Sequence, residues 1–331
     1  MRLGIIGTGR IAKRAVKELD FVEGVRLRCV YNPHEGRAQE FVKRAFSGDD
    51  AGSAKANEAA AVTTTDDFEK LIESIDAAYI ASPHGSHYSY AKDLLNAGKH
   101  VLCEKPMCFS EAEARQLFEI AAKKDLVLME GIKTAFCPGF KKIEEVVESG
   151  VIGDIIDVEA AFTRLTAAGC REYDDTDFGG SFTEFGSYDL LPIFRFLGMD
   201  YDKIEFMNIK ADTGVDGYAK AVFTYSGRAT ATAKTGLMVK SEGQLLITGT
   251  QNCILVPSPW WLTRNFEIRS DALGKTEKYT CEFEGDGLRY EFAEFVRRMS
   301  ESTSDSVKNP VWERNEAIAR AGVYEKFLSL R

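Results

Sequence analysis

Short apolar runs alternate with helical patterns along residues 1–131 of the chain. In order, the apolar runs are LGII, VRLRCVY, AVTT, AAYIAS, HVLCE and LVLME. Apolar runs that are bounded by turn residues and separated by helices are typical of parallel strands with both faces covered. The alternation therefore predicts a doubly wound parallel sheet over residues 1–131. Residues 47–61 interrupt it with small and polar residues, and we expect them to form a surface excursion.

The pattern changes beyond about residue 150, where apolar runs follow one another without intervening helices. These runs are IIDVEAAFTRL, KIEFMNIKA, GYAKAVFTYS, GRATATAKTG, GQLLITGT and NCILVP. Strands without helical crossovers favour an open, mostly antiparallel sheet. Amphipathic patterns at residues 288–299 and 312–328 close the chain. We therefore expect an α/β protein with a second α/β domain over residues 132–331, whose last helix, near 311–329, packs back on the first domain.

The charge balance of the chain favours small-molecule partners. Its net charge is -9 and its isoelectric point is near 5.2, whereas nucleic acids and anionic membranes bind basic surfaces. No stretch approaches the roughly 20 apolar residues that a membrane span needs. Seven cysteines, several of them inside apolar runs, predict unpaired thiols and a reducing, cytoplasmic compartment.

A glycine-rich turn follows the first apolar run. In GIIGTGRIA, the spacing GxGxxA places Gly7 and Gly9 in the turn and Ala12 inside the next helix. A dinucleotide site needs the first glycine for the tight turn, the second for close approach of a pyrophosphate, and a small third residue for helix packing. The predicted phosphate-binding residues are Gly7, Thr8, Gly9, Arg10 and Ile11.

The residue at the end of the second apolar run should contact the ribose of the cofactor. In NAD sites this residue is acidic, but here it is Asn32. An asparagine can bond a ribose hydroxyl, and it lacks the carboxylate that would repel the 2′-phosphate of NADP. Arg37, one turn further on, can contact such a phosphate. The sequence leaves NAD and NADP both open.

The stretch GKHVLCEKPM ends a strand and holds Lys105 in an X-Pro turn, at the sheet edge where doubly wound folds bind ligands. Together with IGTGRIA, SPHGSHYSYAKDLLNAGKHVLCEKPM and GGSFTEFGSYD, it resembles the glucose-fructose oxidoreductase / inositol dehydrogenase / MocA family of NAD(P)-dependent oxidoreductases over essentially the whole chain. The resemblance implies a Rossmann domain followed by an α/β domain whose open sheet often builds an oligomer interface. We therefore expect a homo-oligomer, a dimer or tetramer.

The resemblance also implies roles for particular residues. The lysine of the EKP turn lies beside the nicotinamide and the reacting hydroxyl in this family, which implies the same place for Lys105 with Glu104 next to it. A family loop that passes the cofactor matches Ser82, Pro83, His84 and His87, with His84 in place of the common asparagine. Two histidines without a third ligand nearby do not predict a metal site.

The stretch GGSFTEFGSYDLLPIF carries Glu184 where the family usually has Asp and Tyr188 where it usually has His. Their spacing of four residues puts both side chains on one face of a helix. Oxidising an alcohol with a nicotinamide requires a proton carrier that the cofactor does not supply. Tyr188 can carry that proton if the ammonium group of Lys105 lowers the pKa of its phenol.

The catalytic candidates are therefore Lys105, Tyr188 and Glu184. Glu184 either binds a substrate hydroxyl or forms an S-x-x-E capping box with Ser181. The tyrosine variant is similar to the subgroup of dimeric dihydrodiol and xylose dehydrogenases. Candidate substrate contacts are Asp189, Arg171, Tyr173, Asp174 and Asp177, the last four lying in a segment that could equally form a solvated loop.

The predicted function is hydride transfer between a nicotinamide and a sugar, cyclitol or related diol, in which Lys105 polarises the substrate oxygen and Tyr188 relays the proton. The alternative is a non-catalytic NAD(P)-binding sensor with the same fold. Departures from the commonest family pattern at Asn32, Ala135, Glu184 and Tyr188 motivate this alternative.

Overall fold

A computed structural model describes residues 1–46, 61–271, 275–301 and 304–331 of the chain. These residues form two compact units. The first unit comprises Met1–Gly131 and Gly285–Ala321, and the second comprises Ile132–Glu284 and Gly322–Arg331. The surface excursion predicted over residues 47–61 lies outside the described residues except for its last position.

The first unit is built on a six-stranded sheet. Its strands are β1 (Arg2–Ile6), β2 (Arg26–Tyr31), β3 (Thr63–Thr65), β4 (Ala77–Ile80), β5 (His100–Glu104) and β6 (Leu128–Gly131). They lie in the order β3-β2-β1-β4-β5-β6, and all five neighbouring pairs are parallel. The order reverses between β1 and β4, which makes the sheet doubly wound. The predicted Rossmann-type sheet is confirmed.

Helices connect these strands and cover the sheet. They are α1 (Arg10–Leu19), α2 (Arg37–Phe46), α3 (Phe68–Ser74), α4 (His87–Asn96) and α5 (Glu111–Lys123). The start of α3 shows how the sequence sets a helix end, because the Asp67 carboxylate accepts the N–H groups of Glu69 and Lys70. Apolar residues of α3, α4 and α5 and of the strands form one core.

The second unit is built on an eight-stranded sheet. Its strands are β7 (Ile155–Thr163), β8 (Lys203–Lys210), β9 (Asp216–Tyr225), β10 (Ala229–Gly236), β11 (Leu245–Gly249), β12 (Cys253–Val256), β13 (Asn265–Arg269) and β14 (Thr276–Thr280). The order is β14-β13-β12-β11-β7-β10-β9-β8. The pair β7–β10 is parallel and the other pairs are antiparallel. The predicted open, mostly antiparallel sheet is confirmed.

Three helices of the second unit are α6 (Pro138–Glu148), α7 (Arg171–Asp174) and α8 (Ser181–Leu197). Of these, α8 packs across β7, β9 and β10. The sheet face below it is built largely from small side chains, among them Ala219, Ala221, Ala231 and Ala233, all fully buried. Small residues let the helix lie close to the sheet, so close packing against the strands sets the position of α8.

The first turn of α8 is held by a carboxylate of β9. Asp216 accepts hydrogen bonds from the Ser181 hydroxyl and the Phe182 N–H, each at 2.7 Å. Arg331 donates to the other oxygen of Asp216 at 2.6 Å. Gly180 precedes the helix with φ +106°, and a Cβ there would lie 2.1 Å from that same oxygen. Only glycine fits at this position.

The chain ends in α9 (Leu288–Glu301), α10 (Asp305–Lys308) and α11 (Val311–Leu328). Ala317, Ile318 and Ala321 of α11 belong to the core of the first unit. The side chain of Asn309 accepts the Leu128 N–H at 2.8 Å and donates to a neighbouring carbonyl. These contacts group residues 285–321 with the parallel sheet, although they follow the second sheet in sequence.

We expect Gly180→Ala to destabilise the second unit far more than Gly198→Ala at the other end of α8. Both glycines adopt an extended conformation with positive φ, at φ 106 ψ 165 and φ 85 ψ 179. In that region a side chain costs about 1–3 kcal/mol. A Cβ on Gly198 meets nothing within 4 Å, whereas one on Gly180 strikes Asp216. The additional loss is about 3 kcal/mol, as for breaking a buried ion pair.

Urea unfolding of the two variants, followed by circular dichroism, measures this difference. Equal losses for Gly180→Ala and Gly198→Ala would contradict the role assigned to Asp216 and Arg331.

Candidate active site

The glycine turn joins β1 to α1 at the carboxyl edge of the parallel sheet. A Cβ on Gly7 would lie 2.5 Å from the Ala81 carbonyl oxygen at the end of β4, so packing and a φ of +102° both require glycine here. A Cβ on Gly9 would meet nothing within 4 Å. Gly9 therefore leaves open space in front of the first turn of α1, which also carries Arg10 and Ile11. A helix N-terminus facing open space fits a pyrophosphate.

Asn32 ties the end of β2 to this turn. Its amide nitrogen donates to the Thr8 hydroxyl at 2.8 Å, and its amide oxygen accepts the His34 N–H at 3.0 Å. An asparagine amide offers two donors and two lone pairs, so the group has further capacity for a ribose hydroxyl beyond these two bonds. Arg37 begins α2 and is exposed.

The loop after β4 contains Ser82 and Pro83 and continues through a short 3₁₀ turn into α4. The Ser86 hydroxyl donates to the Pro83 carbonyl at 2.7 Å and can accept from the Ser82 hydroxyl, also at 2.7 Å. His84 is buried, and its ring meets that of His87 edge to face at 5.6 Å. Among the described residues, no group of three or more His, Cys, Asp or Glu side chains could hold a metal ion.

The turn that carries Lys105 begins at the last residue of β5. Three side chains from other elements bond its neighbours. Tyr79 of β4 donates to the Glu104 carboxylate, Glu130 of β6 accepts the Met107 N–H at 3.0 Å, and His87 contacts the Pro106 carbonyl at 2.8 Å. Lys105 itself is only 8% exposed. Its position is thus set by contacts on both sides of the lysine.

In the second unit, Glu184 lies one turn into α8 and accepts a hydrogen bond from Arg171 at 3.2 Å. The helix is capped at Gly180, and the Ser181 hydroxyl bonds Asp216. Asp216, rather than a capping box of Ser181 and Glu184, therefore holds the first turn. Arg171 and Glu184 come together as an ion pair that the sequence did not predict.

Tyr188 belongs to an aromatic cluster that also contains Phe162, Phe185 and Trp261. Phe162 of β7 stacks on Phe185 at 4.3 Å and on Trp261 at 3.5 Å, and its centroid is 5.3 Å from that of Tyr188. Tyr188 and Trp261 are partly buried, so the cluster reaches the surface beside the phenol. Sequence reasoning missed Phe162 and Trp261, because an inward-facing strand residue and a tryptophan both look like ordinary core.

Arg171 and Tyr173 lie on the short helix α7 rather than in a solvated loop. Tyr173 packs against the aromatic cluster, and its burial raises the pKa of its phenol above the ordinary value. Asp174 and Asp177, from the same segment, are exposed.

Asp189 occupies a different place from that expected of a substrate contact. It is fully buried where α8 packs on the sheet, close to the backbone of Phe162 and Lys234. Neither carboxylate oxygen has a hydrogen-bond partner of good geometry among the described residues. Burial raises the pKa of this carboxyl well above its ordinary range, because the charged form loses its solvation.

We expect Asp189→Asn to remove a pH dependence of stability. Because the folded pKa is raised, the stabilising effect of Asp189 is complete below its unfolded pKa of about 3.9 and is lost as the pH rises toward the folded value. Asparagine mimics the neutral acid and does not titrate. The melting temperature of the variant relative to wild type should therefore increase from about pH 4 to about pH 8.

Differential scanning calorimetry across that range makes the measurement, with Asp200→Asn, an exposed position beyond the same helix, as the matched control. A difference in melting temperature that does not change with pH would show that Asp189 is ionised in the fold.

Comparison with known proteins places both units in one family. Residues 1–132 match the model of the Gfo/Idh/MocA oxidoreductase family, NAD-binding Rossmann fold, and residues 140–255 match the Gfo/Idh/MocA C-terminal domain. The chain is 28% identical to scyllo-inositol 2-dehydrogenase (NADP(+)) of Bacillus subtilis, over 97% of this chain and 94% of the relative. It is 29% identical to trans-1,2-dihydrobenzene-1,2-diol dehydrogenase of Sus scrofa, over 70% of this chain and 71% of the relative.

Solved structures share the fold over nearly the whole chain. A 3-ketoreductase from Actinomadura kijaniata, in complex with NADP and TDP-benzene, superposes with a TM-score of 0.79 at 22% identity, covering 98% of this chain and 96% of that one. UDP-N-acetylglucosamine 3-dehydrogenase from Acidithiobacillus ferrooxidans gives a TM-score of 0.76 at 19% identity, covering 99% of each chain. In the described part of the chain, no helix is long and apolar enough to cross a membrane.

Proposed function

Because this chain belongs to the Gfo/Idh/MocA family of NAD(P)-dependent oxidoreductases, we propose that it transfers a hydride between a nicotinamide and a carbon of a sugar, cyclitol or related diol. The observation that carries the proposal is the turn of Lys105, a nearly buried ammonium group held on both sides at the carboxyl edge of a Rossmann sheet. Relatives named for scyllo-inositol and for a dihydrobenzene diol support this substrate class.

We propose that NAD or NADP lies along the edge of the parallel sheet. The backbone of Gly7, Thr8, Gly9, Arg10 and Ile11 would hold the pyrophosphate, with Asn32 at the ribose. Ser82, Pro83 and His84 would line the path toward the nicotinamide. The open space at Gly9 and the spare hydrogen-bonding capacity of Asn32 fit such a ligand. When bound, the nicotinamide supplies or accepts the hydride.

The role proposed for Lys105 is to polarise the substrate oxygen. An ammonium group that is fixed and largely removed from water stabilises the negative charge that develops on this oxygen. Its neighbours Glu104 and Pro106 are bonded by side chains of the same unit, so the lysine needs little rearrangement to act. Preorganisation of this kind is what makes such a charge effective in the transition state.

The role proposed for Tyr188 is to carry the proton that leaves or joins that oxygen. The aromatic cluster beside it offers an apolar wall on which the C–H face of a sugar or cyclitol ring can pack. Glu184, held by Arg171, would accept a hydrogen bond from a substrate hydroxyl. These roles use the partly exposed stripe of α8 and leave Asp189 in the core.

We expect Lys105→Met and Tyr188→Phe each to lower kcat by about 100-fold or more, because each removes a group that acts on the transition state. Turnover is measured as nicotinamide absorbance with NAD or NADP and a panel containing scyllo-inositol, aldoses and trans-1,2-dihydrobenzene-1,2-diol. Lys123→Met and Tyr279→Phe, exposed or edge positions of the same residue types, serve as matched controls and should retain wild-type rates.

Cofactor binding, followed by fluorescence, separates this proposal from the alternative. A folded Lys105→Met or Tyr188→Phe variant with near-wild-type turnover would refute the assigned roles. A wild-type chain that binds NAD(P) but oxidises no member of the panel would favour the sensor.

We expect Asn32→Asp to shift the cofactor preference from NADPH toward NADH. The new carboxylate would repel a 2′-phosphate, and the ratio of dissociation constants should change by roughly tenfold or more. Asn32→Ser is the control, because it loses the bonds to Thr8 and His34 without adding charge, and should weaken both cofactors alike. Titration by fluorescence gives the ratio, and a change within about threefold would mean that position 32 does not meet the ribose.

We further propose a homo-oligomer that assembles through the sheet face of the second unit opposite α8. On that face Glu159 of β7 pairs in register with Thr232 of β10, and Lys234 of β10 pairs in register with Lys220 of β9. Acidic and basic positions on adjacent strands can pair with those of a second copy across a two-fold axis. None of the seven cysteines, all of which the structure describes, forms a disulfide, and four of them are buried, which suits a cytoplasmic assembly.

Charge reversal tests this interface. Glu159→Lys should raise the dimer dissociation constant by about tenfold or more, and Lys220→Glu in the same chain should restore part of the loss. Glu119→Lys, an exposed acid on α5, is the control. Analytical ultracentrifugation measures the constants, and a dimer that is unaffected by Glu159→Lys would exclude this face.

A further inference from the structure

His87 stands at the first position of α4 and is completely buried. Its Nδ1 atom lies 2.8 Å from the Pro106 carbonyl oxygen, and its Nε2 atom lies 2.9 Å from the Ser82 carbonyl oxygen. Both partners are backbone carbonyls, which accept hydrogen bonds and never donate them. Each ring nitrogen must therefore carry a proton if both contacts are hydrogen bonds.

A neutral imidazole has one N–H group and one lone pair. In either tautomer it would point the lone pair of one nitrogen at a carbonyl oxygen less than 3 Å away, with repulsion in place of a bond. Turning the ring over would bring carbon atoms to both carbonyls and lose both contacts. The imidazolium form is the one that satisfies the observed geometry.

The two carbonyls belong to the two segments that matter for the reaction. Ser82 follows β4 in the loop assigned to the cofactor, and Pro106 follows Lys105 after the neighbouring strand β5. We propose that His87 is a positioning residue, held as an imidazolium, that fixes the turn of Lys105 relative to the Ser82 loop. This inference depends on the proposed function only because it takes Lys105 as the lysine that acts on the substrate.

The sequence predicted His87 as a cofactor contact. By this proposal it supports the Ser82 loop and the turn of Lys105 and does not itself contact the cofactor. Both ring nitrogens are engaged by protein carbonyls and the side chain is wholly buried, so the ring has no donor left to offer a cofactor. The charged and titratable groups of the surrounding elements are His84 on the same turn, Glu104 and Lys105 on the EKP turn, and Glu130 on β6.

Two of these groups, Glu104 and Glu130, are buried carboxyl side chains. Negative charge nearby offsets the cost of burying a cation. Glu130 is also bonded by Arg320, so its carboxylate already accepts from one cation and one backbone N–H.

Nitrogen NMR of uniformly ¹⁵N-histidine-labelled wild-type protein tests the protonation state without requiring turnover. The chain has four histidines, and the His87→Asn variant identifies the signal of His87. We expect both of its ring nitrogens to show protonated shifts from about pH 6 to about pH 8. One protonated and one unprotonated nitrogen at neutral pH would overturn the proposal.

Kinetics of His87→Gln tests the positioning role, with Asp93→Asn, an exposed residue of the same helix, as the control. Glutamine can donate to one carbonyl only, so the turn should shift and kcat should fall by the order of 100-fold, while the cofactor dissociation constant changes little. A variant with wild-type kcat and weakened cofactor binding would make His87 a cofactor ligand and refute its positioning role. Because the NMR result is independent of activity, failure of the proposed reaction and failure of this inference are distinguishable.

Discussion

The short turn after β5 depends on hydrogen bonds from three buried or nearly buried side chains, and the rest of the first unit is arranged to deliver them. Tyr79 arrives from β4, His87 from the start of α4 and Glu130 from β6. A buried turn must satisfy its backbone polar groups, and the parallel order β4-β5-β6 puts partners on both sides of it. Side chains delivered by neighbouring elements of the sheet therefore fix the position of Lys105, which the conformation of the loop alone would not do.

In the second unit, the carboxylate of Asp216 fixes the start of a helix in a comparable way. Asp216 binds the first turn of α8 and is itself held by Arg331, while Gly180 leaves the room that this contact needs. The start of the helix then fixes which residues form its partly exposed stripe. Glu184 and Tyr188 lie on that stripe beside Arg171 and the aromatic cluster, whereas Asp189, next in sequence to Tyr188, is buried against the sheet, which raises the pKa of its carboxyl.

Features encoded by nearby residues could be predicted from the sequence. Strand periodicity and turn residues predict both sheets, and the spacing of Gly7, Gly9 and Ala12 predicts the glycine turn. Contacts between distant residues could not, because the sequence does not say which strands become neighbours. This explains why Asp216, which lies on β9 and binds the start of α8, and Phe162 beside Trp261 were missed. Asp189 was misplaced because a polar residue beside a reactive one looks functional until its face is known.

The central claim is that this chain moves a hydride directly between substrate carbon and nicotinamide. The most direct measurement uses inositols, aldoses and dihydrodiols that carry deuterium on their carbinol carbons, incubated with the protein and oxidised cofactor, and mass spectrometry of the reduced cofactor. The account predicts one deuterium in each reduced nicotinamide formed, and about 100-fold less reduced cofactor when Tyr188→Phe replaces the wild type at the same incubation time. Reduced cofactor without deuterium, or no reduced cofactor with any of these substrates, would contradict it.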